Sequence, residues 1–182
     1  MGLDYHEVKL LPYDERWDEQ FQTEKSLIEA NIISSGFSIE HIGSTAVPGM
    51  VAKPIIDIVI GINDINQALS YINILATLKY SSLGECGRPG RYFLVKGDPE
   101  YPEDTQFHVH LVQIGDYYWN NFILFRNCLI DNPGLAESYA NVKKVLAKRY
   151  KFNRTLYRLD KSLFIDEVLE EIRLRADEPG DY

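Results

Sequence analysis

The segment Ile55-Ile56-Asp57-Ile58-Val59-Ile60-Gly61-Ile62 sets the strongest limit on how this chain can fold. A β-branched apolar run of this length is the pattern of a central strand buried on both faces by covering helices. A carboxylate inside such a run is costly to bury unless it meets a cation or a hydrogen-bond donor. Asp57 therefore marks a point where the sheet serves chemistry as well as packing. Just upstream, Phe37 to Ile42 alternates and then breaks at Gly43-Ser44, which predicts a strand ending in a tight turn. Glycine there lets the backbone approach a ligand closely, and the Ser44 hydroxyl with nearby amides can bond phosphate oxygens.

The rest of the chain supplies elements to cover that sheet. Val8 to Leu11 predicts a short opening strand, and Asp14 predicts the cap of a helix running through Trp17, Phe21 and Ile28 to about Asn31. Asn63 or Asp64 caps a second helix with an apolar stripe of Ile65, Leu69, Ile72 and Leu75 to Leu78. Gly84 to Gly90 reads as a loop before the alternating run Arg91 to Lys96. Gln106 to Gln113 alternates again, with Phe107, Val109 and Leu111 on one face and His108, His110 and Val112 on the other. From Tyr117 onward the period becomes helical, over roughly 118–130, 135–150 and 156–173, with Tyr117, Tyr118 and Trp119 assigned to packing at a helix start. The expected architecture is α/β (α+β): a mixed sheet flanked by helices with a helical C-terminal part, in one domain over 1–182.

Composition narrows the functions. With 45% hydrophobic and 25% charged residues in 182, the chain is neither disordered nor fibrous. A net charge of -8 argues against a broad footprint on duplex nucleic acid or an anionic membrane, while leaving room for a local basic pocket. No run approaches the roughly 20 apolar residues of a membrane span, and the first six residues lack a signal-peptide pattern, so a cytoplasmic location is expected. Cys86 and Cys128 are far apart and read as free thiols. Nothing in the sequence sets the oligomeric state.

The Gly43-Ser44 turn followed by Asp57 on a strand resembles the signature of the nucleotidyltransferase superfamily. The longer string Glu40 to Ile58, EHIGSTAVPGMVAKPIIDI, is similar to the defining motif of the GrpB family. Further matching pieces are PYDERW, GRPGRYFLVKGDP, the strand at His108 to His110, FRNCLIDNPGLAESYANVKKVLAKRY and DKSLFI. The resemblance implies a nucleotidyltransferase-like fold and nucleotidyl transfer from a nucleoside triphosphate to a small acceptor with a divalent metal (Mg, Mn or Zn). Members resembling this domain also occur fused to dephospho-CoA kinase, which implies a second reading, a catalytically silent nucleotide- or phosphate-binding module related to coenzyme A metabolism. A third reading is a metal-dependent hydrolase at an Asp/His site.

The chain departs from the superfamily pattern in carrying Val59 where a second acid is usual, and His108 and His110 where a third is expected. Residues two apart on a strand face the same way, so both imidazoles are candidates to join Asp57 on one metal ion, with Glu40 as a replacement carboxylate. Asp57, His108 and His110 are the catalytic candidates, and Gly43, Ser44, Lys53 and Arg91 the ligand-binding ones. Lys53 either binds phosphate or pairs with Asp57, and Arg88 reads as a solvated hairpin tip. On the C-terminal helices, Arg126 and Lys161 match family positions, whereas Lys143 and Lys144 read as solvated surface.

Overall fold

A computed structural model describes residues 7–33, 35–97 and 105–177. The first six residues, and the Asp98-Pro99 end of one matching motif, lie outside the described residues. Five strands, β1 (Phe37–Ile42), β2 (Ile56–Ile62), β3 (Tyr80–Ser82), β4 (Tyr92–Lys96) and β5 (Phe107–Gln113), form one mixed sheet in the order β1-β2-β5-β4-β3. β2 pairs antiparallel with β1 and parallel with β5, and β4 runs antiparallel to both β5 and β3.

The strand period sorts the side chains. Ile56, Ile58, Ile60 and Ile62 join Val109 and Leu111 on one face, where α1 (Arg16–Asn31) and α2 (Ala68–Thr77) cover them with Phe21, Ile28, Tyr71 and Leu75. Asp57, Val59 and Gly61 point to the opposite face. There Val59 packs with Ile42 and Val112 under Tyr118, Trp119 and Phe122 of α3 (Tyr117–Asp131). α4 (Pro133–Arg149) and α5 (Arg154–Asp177) complete a helical cluster that packs Tyr139, Val168 and Leu169 onto Val47 and Met50, in the loop after the Gly43-Ser44 turn. The C-terminal helices are thereby held against the mouth of the turn. Among the described residues no helix is long and apolar enough to cross a membrane.

Two expectations need correction. The opening strand does not form: within 8–11 only Leu11 bridges, to Ala52, while the Val8 amide donates to the Lys151 carbonyl. The α1 N-cap is Glu15 rather than Asp14, whose carboxylate instead accepts from the Arg16 amide and guanidinium. Asp64 caps the short 3-10 turn Ile65–Gln67 that leads into α2, accepting from the Asn66 amide, while the N-cap of α2 itself is Gln67. Cys86 and Cys128 are free thiols.

Gly61 shows how tightly α3 sits on the sheet. A Cβ there would lie 2.5 Å from the Trp119 ring and 2.7 Å from Ile114. Gly61→Ala should therefore destabilise the protein by about 1–3 kcal/mol through overpacking, read as a lower urea midpoint with an unchanged slope. An unchanged midpoint would mean that α3 rests loosely on β2.

Candidate active site

The site forms at the ends of β1, β2 and β5 because the chain turns there at a residue only glycine can supply. Gly43 has φ +72°, and a Cβ on it would lie 2.5 Å from Asp57 Oδ2. The turn thus lies directly against the carboxylate. Asp57 stands opposite Ile42 on β1 and His108 on β5, and its Oδ1 is 3.0 Å from His108 Nδ1. A carboxylate only accepts, so His108 donates through Nδ1 and keeps Nε2 free. Burial pushes the Asp57 carboxyl up, but the His108 hydrogen bond and the nearby His108, His110 and Lys161 hold it at about 2.

His110, two residues along, shares the face but not the partner. Its ring stacks on Phe93 with centroids 5.1 Å apart and tilts against Phe122 at 4.8 Å. Its Nδ1 is 3.4 Å from an Arg91 guanidinium nitrogen. Arginine only donates, so Nδ1 accepts and the proton sits on Nε2. The two histidines therefore carry opposite tautomers. Burial pushes His110 down to about 3, partly opposed by Asp57 and reinforced by Arg91.

Glu40 shares the Asp57 face of β1 but turns to α3, where its carboxylate accepts from Arg126 at 2.7 Å; Arg126 also donates to the His41 carbonyl. The four-residue metal set of Asp57, His108, His110 and Glu40 is thus not assembled. Arg126 draws Glu40 away and Arg91 occupies His110 Nδ1. Among the described residues, no group of three or more His, Cys, Asp or Glu side chains stands ready to hold a metal ion. His41 points to the other face, stacked on Phe21 and hydrogen-bonded to Thr45, and burial pushes it down to about 4.

Around this corner the charge is cationic. Lys143, expected on the solvated surface, is 1% exposed. It donates to Ser44 Oγ at 2.8 Å and to the Val51 carbonyl, and its ammonium lies over the Tyr139 ring. None of these partners carries a formal charge, and burial, then Lys161, pushes Lys143 down to about 7. The sequence held a signal for this: Tyr139, Lys143 and Leu146 recur at helical spacing on the buried stripe of α4. Lys53 makes no ion pair with Asp57 but lies over the Tyr157 ring. Burial, then Lys161, Arg154 and Arg158, pushes it down to about 8. Arg154, Arg158 and Lys161 lie four and three residues apart on α5, a basic stripe that sequence reasoning credited only at Lys161. The reverse side of the turn has the opposite sign. A cavity of about 440 Å³ there is lined by Glu15, Asp18, Glu19 and His41 among others, so the cationic side is the one suited to an anion.

Sheet and helices together form a nucleotidyltransferase-like fold. The structure matches the Cid1 poly(U) polymerase solved with MgGTP bound, with a TM-score of 0.53 over 76% of this chain and 44% of that one. At 13% identity this is a likeness of fold alone. Within that class the chain belongs to the GrpB family, whose profile, described as GrpB protein, matches residues 7–171. It is 33% identical to the glutamate-rich protein GrpB of Alkalihalophilus pseudofirmus over 174 residues, 94% of this chain and 99% of that protein. The crystal structure of conserved protein GrpB from Enterococcus faecalis matches with a TM-score of 0.78 at 30% identity, over 90% of this chain and 99% of that one.

His41, buried, and His110, half-buried, set an acid limit on stability. Both have folded values below the ordinary 6.5. Their contribution is complete above 6.5 and is lost as pH falls towards 4 and 3, because only the unfolded chain binds the protons. Ring-proton NMR signals of His41 and His110 should stay put between pH 7.5 and 5.5, while urea midpoints decline over that range. Titration of either ring near 6.5 would contradict the burial described.

Proposed function

We propose that this corner binds a nucleoside triphosphate by its phosphates and that the protein transfers the nucleotidyl group to a small acceptor. The carrying observation is Lys143 on Ser44, with Lys161 and Lys53 near enough to the adjoining Asp57 to feel its charge, in a chain whose net charge is -8. A buried ammonium without a counter-charge is costly until an anion arrives, and a phosphate chain supplies several. Ser44 and Lys143 hold the terminal phosphates, while Lys161 and Lys53 neutralise the chain nearer Asp57.

Asp57 and His108 do not by themselves make a divalent-metal site, which needs more donors than one carboxylate and one imidazole. Any such ion belongs to the metal–nucleotide complex, as substrate. The chain's own contribution to transfer is the Asp57–His108 pair. Asp57 fixes the tautomer, and His108 Nε2 takes the proton from the acceptor hydroxyl. The acceptor oxygen bonds to the α-phosphorus as the bond to the pyrophosphate oxygen breaks, and pyrophosphate leaves among the lysines. Val59, where a second acid is usual, favours the alternative in which binding persists without transfer.

Calorimetric titration of ATP and CTP, each with and without Mg or Mn, tests the reading. Wild-type protein should bind one nucleotide, and Lys161→Met should weaken binding tenfold or more, about 1.4 kcal/mol. His108→Gln should retain binding and abolish pyrophosphate release. With acceptor alcohols supplied, binding with no release by the wild type selects the silent module, and no binding contradicts both. Lys143 adds a pH signature. Above pH 7 the free protein holds it largely neutral, so phosphate binding at pH 8 should take up protons, seen as a dependence of the binding enthalpy on the buffer's ionisation heat; at pH 6 the uptake should vanish.

A further inference from the structure

Arg91 enters β4 from the Gly84–Gly90 loop and is 8% exposed, yet its Nε has no hydrogen-bond partner. Among the described residues, the one hydrogen bond of its side chain runs to His110, itself neutral, at 3.4 Å. Burial and then Arg88, exposed on the same loop, disfavour its charge, Cys86 and Tyr118 partly oppose them, and Arg158 of α5 adds a smaller repulsion; among the described residues no carboxylate pairs with it. The guanidinium lies 5.8 Å from the Phe93 ring centroid, which offers a face but no hydrogen-bond acceptor. A buried guanidinium with a free donor beside two further arginines lacks an anion. The planar edge of a guanidinium matches the two oxygens of a phosphate or carboxylate.

This place is distinct from the Gly43-Ser44 corner. β1, which leads into the turn, and β4, which follows Arg91, lie on opposite sides of the paired β2 and β5 that carry Asp57 and His108, and Arg158, which acts on both Lys53 and Arg91, lies between the two places. The Asp57–His108 pair is where the acceptor must stand in the reading above. We infer that the acceptor carries an oxyanion, a phosphate or a carboxylate, seated on Arg91 with Arg88 at the mouth. The word acceptor rests on that reading; the anion subsite does not. Two anion sites flanking the reacting pair fix the acceptor's register relative to the nucleotide, which is how positioning contributes to a two-substrate transfer. They also exclude neutral sugars and amines as preferred acceptors.

The test uses the full chain labelled with 15N on arginine, with the Arg91 Nε–H signal assigned by its loss in Arg91→Lys. A non-hydrolysable ATP analogue is added to saturation, filling the Gly43-Ser44 corner, and inorganic phosphate or acetate is then titrated in. One of these anions should shift the Arg91 signal in a saturable way, and which one does so distinguishes phosphate from carboxylate. Arg88→Gln, exposed and so not needed for folding, should weaken that anion at least threefold. The inference is overturned if the analogue alone moves Arg91 and neither anion moves it further, since Arg91 then belongs to the nucleotide site. It is also overturned if neither anion ever moves the signal. Should the analogue fail to bind while phosphate or acetate still shifts Arg91, the subsite stands and the nucleotide reading falls.

Discussion

The Asp57 carboxylate is the constraint on which the rest of the structure depends. It is carried by β2, an interior strand of the sheet, where a half-buried charge is costly unless it is paired. The structure answers by placing His108 at hydrogen-bond distance on the neighbouring parallel strand and by turning the chain at Gly43, where a side chain would strike the carboxylate. Every other group of the site is arranged outward from that contact. Ser44 follows the glycine, Lys143 reaches Ser44, and Lys161 lies close enough to help hold the carboxylate ionised.

Much of this was legible in the sequence, for physical reasons. β2 and β5 declared themselves by period, a continuous apolar run in one and strict alternation in the other, and with them came the facing of Asp57, His108 and His110. The turn was legible because glycine and serine break an alternating strand. The resemblance to the GrpB motif implied the fold class, and the family match over 7–171 agrees with it. The opening strand was not legible, since four residues of suitable composition form a strand only where a partner edge is free; here only Leu11 finds one.

The site was read less completely, because charge partners are tertiary facts. Glu40 and His110 have the chemistry of metal ligands, and nothing local says that Arg126 and Arg91 will engage them. The same applies to the lysines. A Lys on a helix is usually solvated, and Lys143 departs from this because α4 turns its Tyr139–Lys143–Leu146 stripe onto the Ser44 loop. The resulting corner holds positive charge that the chain does not neutralise itself, although the molecule as a whole is acidic. Such a local inversion of sign focuses an anionic ligand at one place and disfavours a polyanion spread over the surface.

The most direct test of this account is a crystal structure of the protein grown with a non-hydrolysable ATP analogue and Mg. The account predicts the triphosphate along the Gly43-Ser44 turn, with Lys143 and Ser44 on its terminal phosphates, Lys161 nearer Asp57, and the Asp57–His108 hydrogen bond intact. A triphosphate bound elsewhere, or a lattice grown at saturating analogue with only solvent against Lys143 and Ser44, would contradict it.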